Sequence, residues 1–174
     1  MGDRNGALVY LAALFLLLVW IAWQVFNQVI RTRSYETLIS RLQPKLTKGT
    51  GTPEEHYELG CAYLEKKLYE EAIRQFKKAL ALNPQYAEAH NNLGYAYYQQ
   101  KQIELALRSY RDAVRYKEDY VSALSNLAHV YERKFQSEQA LECYDKILQV
   151  QPKHTLANRR ASLLRKRVPT ENKG

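Results

Sequence analysis

Cysteine is scarce in this sequence: Cys61 and Cys143 lie far apart, and neither has a second Cys or a His at metal-ligand spacing. A metal site is therefore not expected, and two small apolar side chains packed on helices in a reducing compartment are. A glycine-rich phosphate loop, a nucleophile elbow and a metal motif are missing too, and no acid–base pair stands out. The expectation is a protein that is not an enzyme, with no catalytic residues and no cofactor. Basic charge is absent where a nucleic-acid groove would need it. The formal net charge is +8, but the excess sits at residues 31–52 (+4) and 155–174 (+5), while residues 53–86 carry −1 and residues 1–30 and 87–154 carry none. Phosphate neutralisation supplies much of nucleic-acid affinity, so a neutral middle argues against that partner and leaves proteins.

Charge of either sign is also lacking from Asn5 to Ile30. Within that run, residues 7–26 read ALVYLAALFLLLVWIAWQVF, twenty residues that span about 30 Å as a helix, the thickness of a bilayer's hydrocarbon core. Twelve of the twenty are Leu, Ile, Val or Phe, each favouring insertion by roughly 0.3–0.6 kcal/mol, which outweighs the single Gln24. A cleaved signal peptide would need a positive start, an apolar stretch of about 7–15 residues and a small-x-small cleavage site, and none of these is offered. Asp3 balances Arg4 on one flank, whereas Arg31, Arg33, Arg41, Lys45 and Lys48 face a single Glu36 on the other. The positive-inside rule then places the remainder of the chain on the cytoplasmic side, or in the stroma of a plastid.

Residues 31–52 form a basic tether. Tyr35, Leu38, Ile39, Leu42 and Leu46 recur at helical spacing, interrupted by Pro44 and followed by KGTGT. This pattern predicts a short amphipathic helix and a hinge, with a continuation of the apolar helix, or packing on the helices C-terminal to the tether, as the alternative. Thr52, Pro53 and Glu55 then read as N-cap, first and third helical residues of a new helix.

From Pro53 the sequence repeats every 34 residues, giving units 53–86, 87–120 and 121–154. Leu59, Leu93 and Leu127 share the seventh position, and Gly60, Gly94 and Ala128 the eighth. Tyr63, Tyr97 and Tyr131 share the eleventh, Ala72, Ala106 and Ala140 the twentieth, and Phe76, Tyr110 and Tyr144 the twenty-fourth. Small residues recur where two antiparallel helices approach, opposite large ones. Pro84 and Pro152 close units one and three, while Glu118 stands in place of a proline in unit two and Ile147 in place of a small residue in unit three. This pattern resembles the tetratricopeptide repeat, and it predicts an all-α chain: an N-terminal transmembrane helix, a three-repeat α-solenoid and a capping helix. Residues 155–167 supply that cap, with Ala157, Ala161 and Leu164 on one stripe. Arg159, Arg160, Arg165, Lys166 and Arg167 lie outside it as a candidate docking patch or simply a solvated face, and residues 168–174 form a tail.

The resemblance implies a concave groove lined by the first helix of each repeat. Its ligand-facing positions fall on Tyr57, Cys61, Leu64 and Glu65, on Asn91, Tyr95, Tyr98 and Gln99, and on Ser122, Ser125, His129 and Glu132. Tyr57, Tyr95 and Tyr98 are candidate anchors, since tyrosine offers a large contact area at low entropic cost. Relatives that clamp a chaperone's C-terminal carboxylate use Lys and Arg at set positions. Only Asn92 matches that constellation, with Tyr57, Cys61, Ser122 and Asn126 at the others, which argues against a co-chaperone role. His56 and His90 share the fourth position, where a bulky residue packs.

The order of parts narrows the resemblance further. An N-terminal anchor, the tether RLQPKLTKGTGTPEEHYELG, three repeats and the ending RRASLLRKR are similar to the small membrane-anchored tetratricopeptide photosystem I assembly family of cyanobacteria and algal plastids. That resemblance implies a thylakoid scaffold holding photosystem I subunits or assembly intermediates, without nucleic acid or a small-molecule substrate. A receptor or adaptor for another membrane complex, such as an import receptor, and a tether to anionic membrane through the basic flanks are the alternatives.

Overall fold

Apolar and basic stretches that read as separate segments fold into one helix. The computed structural model describes residues 3–167, with side chains described from Leu8 onward except at position 31; the tail 168–174 lies outside. Helix α1 runs from Asp3 to Thr47. From Leu8 to Ile30 its large apolar side chains are exposed on every side, and among the described residues it is the one helix long and apolar enough to cross a membrane. Beyond Tyr35 a stripe turns inward: Leu42 and Leu46 are buried, and Leu38 and Ile39 pack against the same core.

Of the two readings of the tether, the structure shows the continuation of the apolar helix and its packing on the repeats, with no break at Pro44. Proline deprives only the exposed Ser40 carbonyl of its helical partner, and the core packing of Leu46 holds the last turn in place. Nor is KGTGT an open hinge. Gly49 takes φ +79°, and a Cβ on Gly51 would lie 2.2 Å from the Leu46 side chain and 2.8 Å from the His56 ring. These glycines serve a tight turn and a close approach rather than a loose link.

The next helix, α2 (Pro53–Glu65), starts as its sequence predicts. The Thr52 hydroxyl accepts from the Glu55 N–H at 3.3 Å, and the Glu55 carboxylate accepts from the Thr52 N–H at 3.2 Å. Then follow α3 (Tyr69–Leu82), α4 (Ala87–Gln99), α5 (Ile103–Tyr116), α6 (Val121–Arg133), α7 (Ser137–Val150) and α8 (Thr155–Arg165). Each helix packs on the next, and α2 also touches α4, as α4 touches α6. The result is two layers, α2, α4 and α6 on one side and α3, α5 and α7 on the other.

Complementary sizes make the pairs fit. A Cβ on Gly60 would lie 2.6 Å from the Phe76 ring, and one on Gly94 would lie 2.8 Å from the Tyr110 ring. Phe76 and Tyr110 are among the largest fully buried side chains. Ile147, in place of a small residue, is fully buried and belongs to the same core. Glu118 leaves no mark on the architecture: α5 has the same length as α3 and α7, and Tyr120 N–H bonds Lys117 O as Tyr86 N–H bonds Asn83 O. At the far end α8 lays Ala157, Ala161 and Leu164 on α7, closing the stack. At the near end the second half of α1 does the same for α2.

Candidate partner-binding groove

The residues expected to face a ligand come from α2, α4 and α6, and much of their polar surface is already bound across the repeats. The Asn92 side-chain amide donates to the Tyr57 hydroxyl at 3.1 Å and lies 3.3 Å from Cys61 Sγ. Asn91 Nδ2 donates to Asn92 Oδ1, and Asn126 Nδ2 donates to Asn91 Oδ1 at 2.9 Å. An amide ladder thus links three repeats. Further along, Tyr98 shares a 2.9 Å hydrogen bond with His129 Nε2 and accepts another from Arg133. These bonds satisfy polar groups that a dry groove floor would otherwise leave costly.

Five of the expected residues, Cys61, Leu64, Glu65, Asn92 and Tyr95, meet Lys67 and Tyr69 around a recess of about 390 Å³. Tyr95 is exposed there and Leu64 half-buried, so an apolar and a hydroxyl-bearing wall face each other. Tyr57 lies deeper. It packs 4.9 Å from the Tyr86 ring and 5.9 Å from the Phe76 ring, and burial, aided by Cys61, raises its hydroxyl well above the usual tyrosine range. Burial likewise raises the Cys61 thiol, partly offset by its hydrogen bonds to Tyr57 and Asn92. Cys61 therefore sits as a protonated packing and hydrogen-bonding group.

Other expected positions are placed differently. Asn91 is buried and belongs to the floor, whereas Gln99 and Ser122 are exposed and Ser125 is half-buried. Glu132 turns to the cap, where Arg160 lies 3.6 Å away. Arg165 pairs with Asp145, so two of the five basic cap residues are already matched, while Arg159, Lys166 and Arg167 are exposed. His56 and His90 are structural. The first is buried with Nδ1 2.8 Å from Gln75 Oε1, and the second bonds the Pro84 carbonyl and stacks on Tyr116. No cluster able to hold a metal occurs among the described residues. Sequence reasoning passed over Lys67 and Tyr69, which line the recess, and Tyr86, which packs on Tyr57. Tyr86 and Tyr120, and Lys67 and Lys101, each recur one repeat apart, which was the signal available for them.

Antiparallel helix pairs at a 34-residue period, stacked with their first helices on one side, define a helical-repeat interaction domain. The TPR repeat model matches residues 60–101 and 94–134, and the tetratricopeptide repeat model matches residues 121–154. Together these cover more than half of the chain, which belongs to the tetratricopeptide repeat family. Compared by whole sequence with curated proteins, it has no match. Among solved structures it is similar to the MamA RS-1 ArsTM double mutant, at 23% identity and TM-score 0.68 over 81% of this chain and 79% of that one. It is similar to YrrB, a TPR protein with an unusual peptide-binding site, at 23% identity and TM-score 0.65, covering 80% and 69%. It also resembles the first TPR of Spaghetti (RPAP3) bound to the HSP90 peptide SRMEEVD, at 22% identity and TM-score 0.60, covering 66% and 94%. These likenesses show the fold.

Proposed function

We propose that this chain is a non-enzymatic, membrane-anchored scaffold that holds protein partners, and that it serves photosystem I assembly at the thylakoid. The observation that carries the anchored scaffold is α1. Its first half shows apolar side chains on every side, far more than a soluble protein leaves uncovered, and its second half is built into the repeat core. A span through about residues 7–26 leaves Arg33, Arg41, Lys45 and Lys48 on the side of the repeats, which supports a cytoplasmic or stromal groove. Confinement to the membrane raises the effective concentration of groove and client, so a weak contact suffices.

The peptide-binding site of YrrB and the HSP90 peptide bound to Spaghetti support a peptide segment as the ligand of the groove. An acidic tail like SRMEEVD fits poorly, because the positions that would need cations hold Tyr57, Cys61, Ser122 and Asn126. The photosystem reading rests on the likeness of the tether and ending to that assembly family. Deleting the gene in a phototroph is expected to lower photosystem I accumulation, and crosslinking in native thylakoids to capture photosystem I subunits. Unchanged accumulation under both low and high light would sink the reading.

A further inference from the structure

The turn between the two helices of each pair is built alike three times. Lys67, Lys101 and Phe135 occupy left-handed backbone, at φ 58°, 62° and 58°. In the first turn Leu68 N–H bonds Tyr63 O and Lys67 N–H bonds Leu64 O, and the other two turns repeat the pattern. This closure favours glycine at the left-handed position, because any Cβ there is strained. A phenylalanine stands at position 135 nonetheless, and it is 93% exposed. The ring returns nothing to the fold that its backbone opposes, and it belongs to neither groove nor cap.

The three turns share an edge, and that edge faces the apolar half of α1. α1 runs antiparallel to α2, since Glu36 pairs with Lys66 at the end of α2 and Lys45 with Glu55 near its start. Glu65 and Lys66 share a recess of about 710 Å³ with Gln24, Gln28 and Thr32 of α1. Hydrogen bonds from Asn92 to Tyr57 and from Asn126 to Asn91 set α2, α4 and α6 side by side in one direction, so their turns emerge together. Gln28 and Thr32, which border that recess, lie two and six residues past Phe26, the end of the proposed span, about 3 and 9 Å along the helix. The headgroup layer on each side of a bilayer is about 5–8 Å thick, so the turns stand at its surface. The turn triplets 66–68, 100–102 and 134–136 carry four lysines and no carboxylate, whereas the opposite turns, 83–86, 117–120 and 151–154, balance two lysines with Glu118 and Asp119. Lys66 and Lys134 also touch Glu36 and Glu104, while Lys67 and Lys101 are exposed.

We infer that this edge rests on the bilayer that α1 crosses, with Phe135 inserted among anionic lipid headgroups and the turn lysines facing their phosphates. The inference rests on the reading of α1 as a spanning helix. It makes the membrane a second support for the solenoid, at the repeat farthest from the anchor. Lysine near an anionic surface is attracted within a Debye length, and an aromatic ring is favoured at that depth.

The test uses the full chain in nanodiscs of phosphatidylcholine with or without phosphatidylglycerol, carrying the photo-crosslinker benzoylphenylalanine at position 135 or, on the opposite edge, at position 153. Lipid adducts are expected several-fold more often at 135 than at 153, and more often with phosphatidylglycerol present. Changing Lys67→Gln and Lys101→Gln together should remove that phosphatidylglycerol preference. A chain that enters nanodiscs yet gives equal adducts at both positions, or adducts to a second copy of itself at 135, overturns the inference and leaves the anchor standing. A chain that fails to enter nanodiscs overturns both.

Discussion

The two halves of α1 share one backbone geometry but are built for different surroundings. From Leu8 to Ile30 nearly every residue is apolar and exposed, so no face is distinguished. From Tyr35 to Leu46 only one stripe is apolar, and it is buried against α2. A helix that meets protein on one side needs an amphipathic pattern, whereas one apolar all round needs an apolar solvent. The location of the chain and the stability of its repeats should therefore respond to different substitutions.

The largest expected effect separates them outright. Changing Leu14, Leu17 and Leu18 to Lys should disfavour insertion by roughly 10 kcal/mol, since each exchange shifts the insertion balance by about 3 kcal/mol or more. The chain should leave the membrane fraction on carbonate extraction, with helical circular dichroism of the repeats retained. Phe76→Ala should do the reverse, costing about 3–5 kcal/mol of repeat stability in denaturant melts while extraction behaviour stays unchanged. Leu42→Ala probes the junction. It should cost about 2–5 kcal/mol and expose α1–α2 amides to hydrogen exchange before those of α5–α7. Gly94→Ala, which drives a methyl into the Tyr110 ring, should cost about 1–3 kcal/mol in the same melts.

The last effect is one of pH. Burial pushes the Cys143 thiol up to about 12, and burial together with Glu132 pushes the Tyr144 hydroxyl up to about 12. The unfolded chain loses these protons nearer the ordinary values of 9.0 and 10.0. Their stabilising contribution is therefore full below about pH 9 and disappears as pH rises to about 12. The thermal midpoint of the repeats should fall over that window. The extraction behaviour of the anchor should not follow it.

Much of this was legible because the repeat makes local and long-range signals coincide. Gly60 and Gly94 recur as small residues and Phe76 and Tyr110 as large ones, a pattern that the structure resolves into facing pairs, and Thr52 with Glu55 announced the start of α2. Pro44 and KGTGT misled because their local meaning is to break a helix, whereas the contacts that fix them, Leu46 and His56 around Gly51, are tertiary. Repeat numbering placed Asn91 in the groove, but its burial depends on how closely α4 approaches α2 and α6, which a period does not reveal. Phe135 carried no periodic signal, since lysine stands at the equivalent positions.

The uninterrupted backbone of α1 couples the azimuth of the groove to that of the span. Each helical residue turns the chain by about 100°, so one alanine inserted between Ile30 and Tyr35 would swing the groove to a different bearing around the axis of α1. Lengthening by four residues would return it to within about 40° of the original bearing, some 6 Å farther along the axis. Were α1 to span a bilayer as proposed, a partner embedded beside it would meet the repeats from one compass direction, set by the number of residues between the apolar half of α1 and the groove.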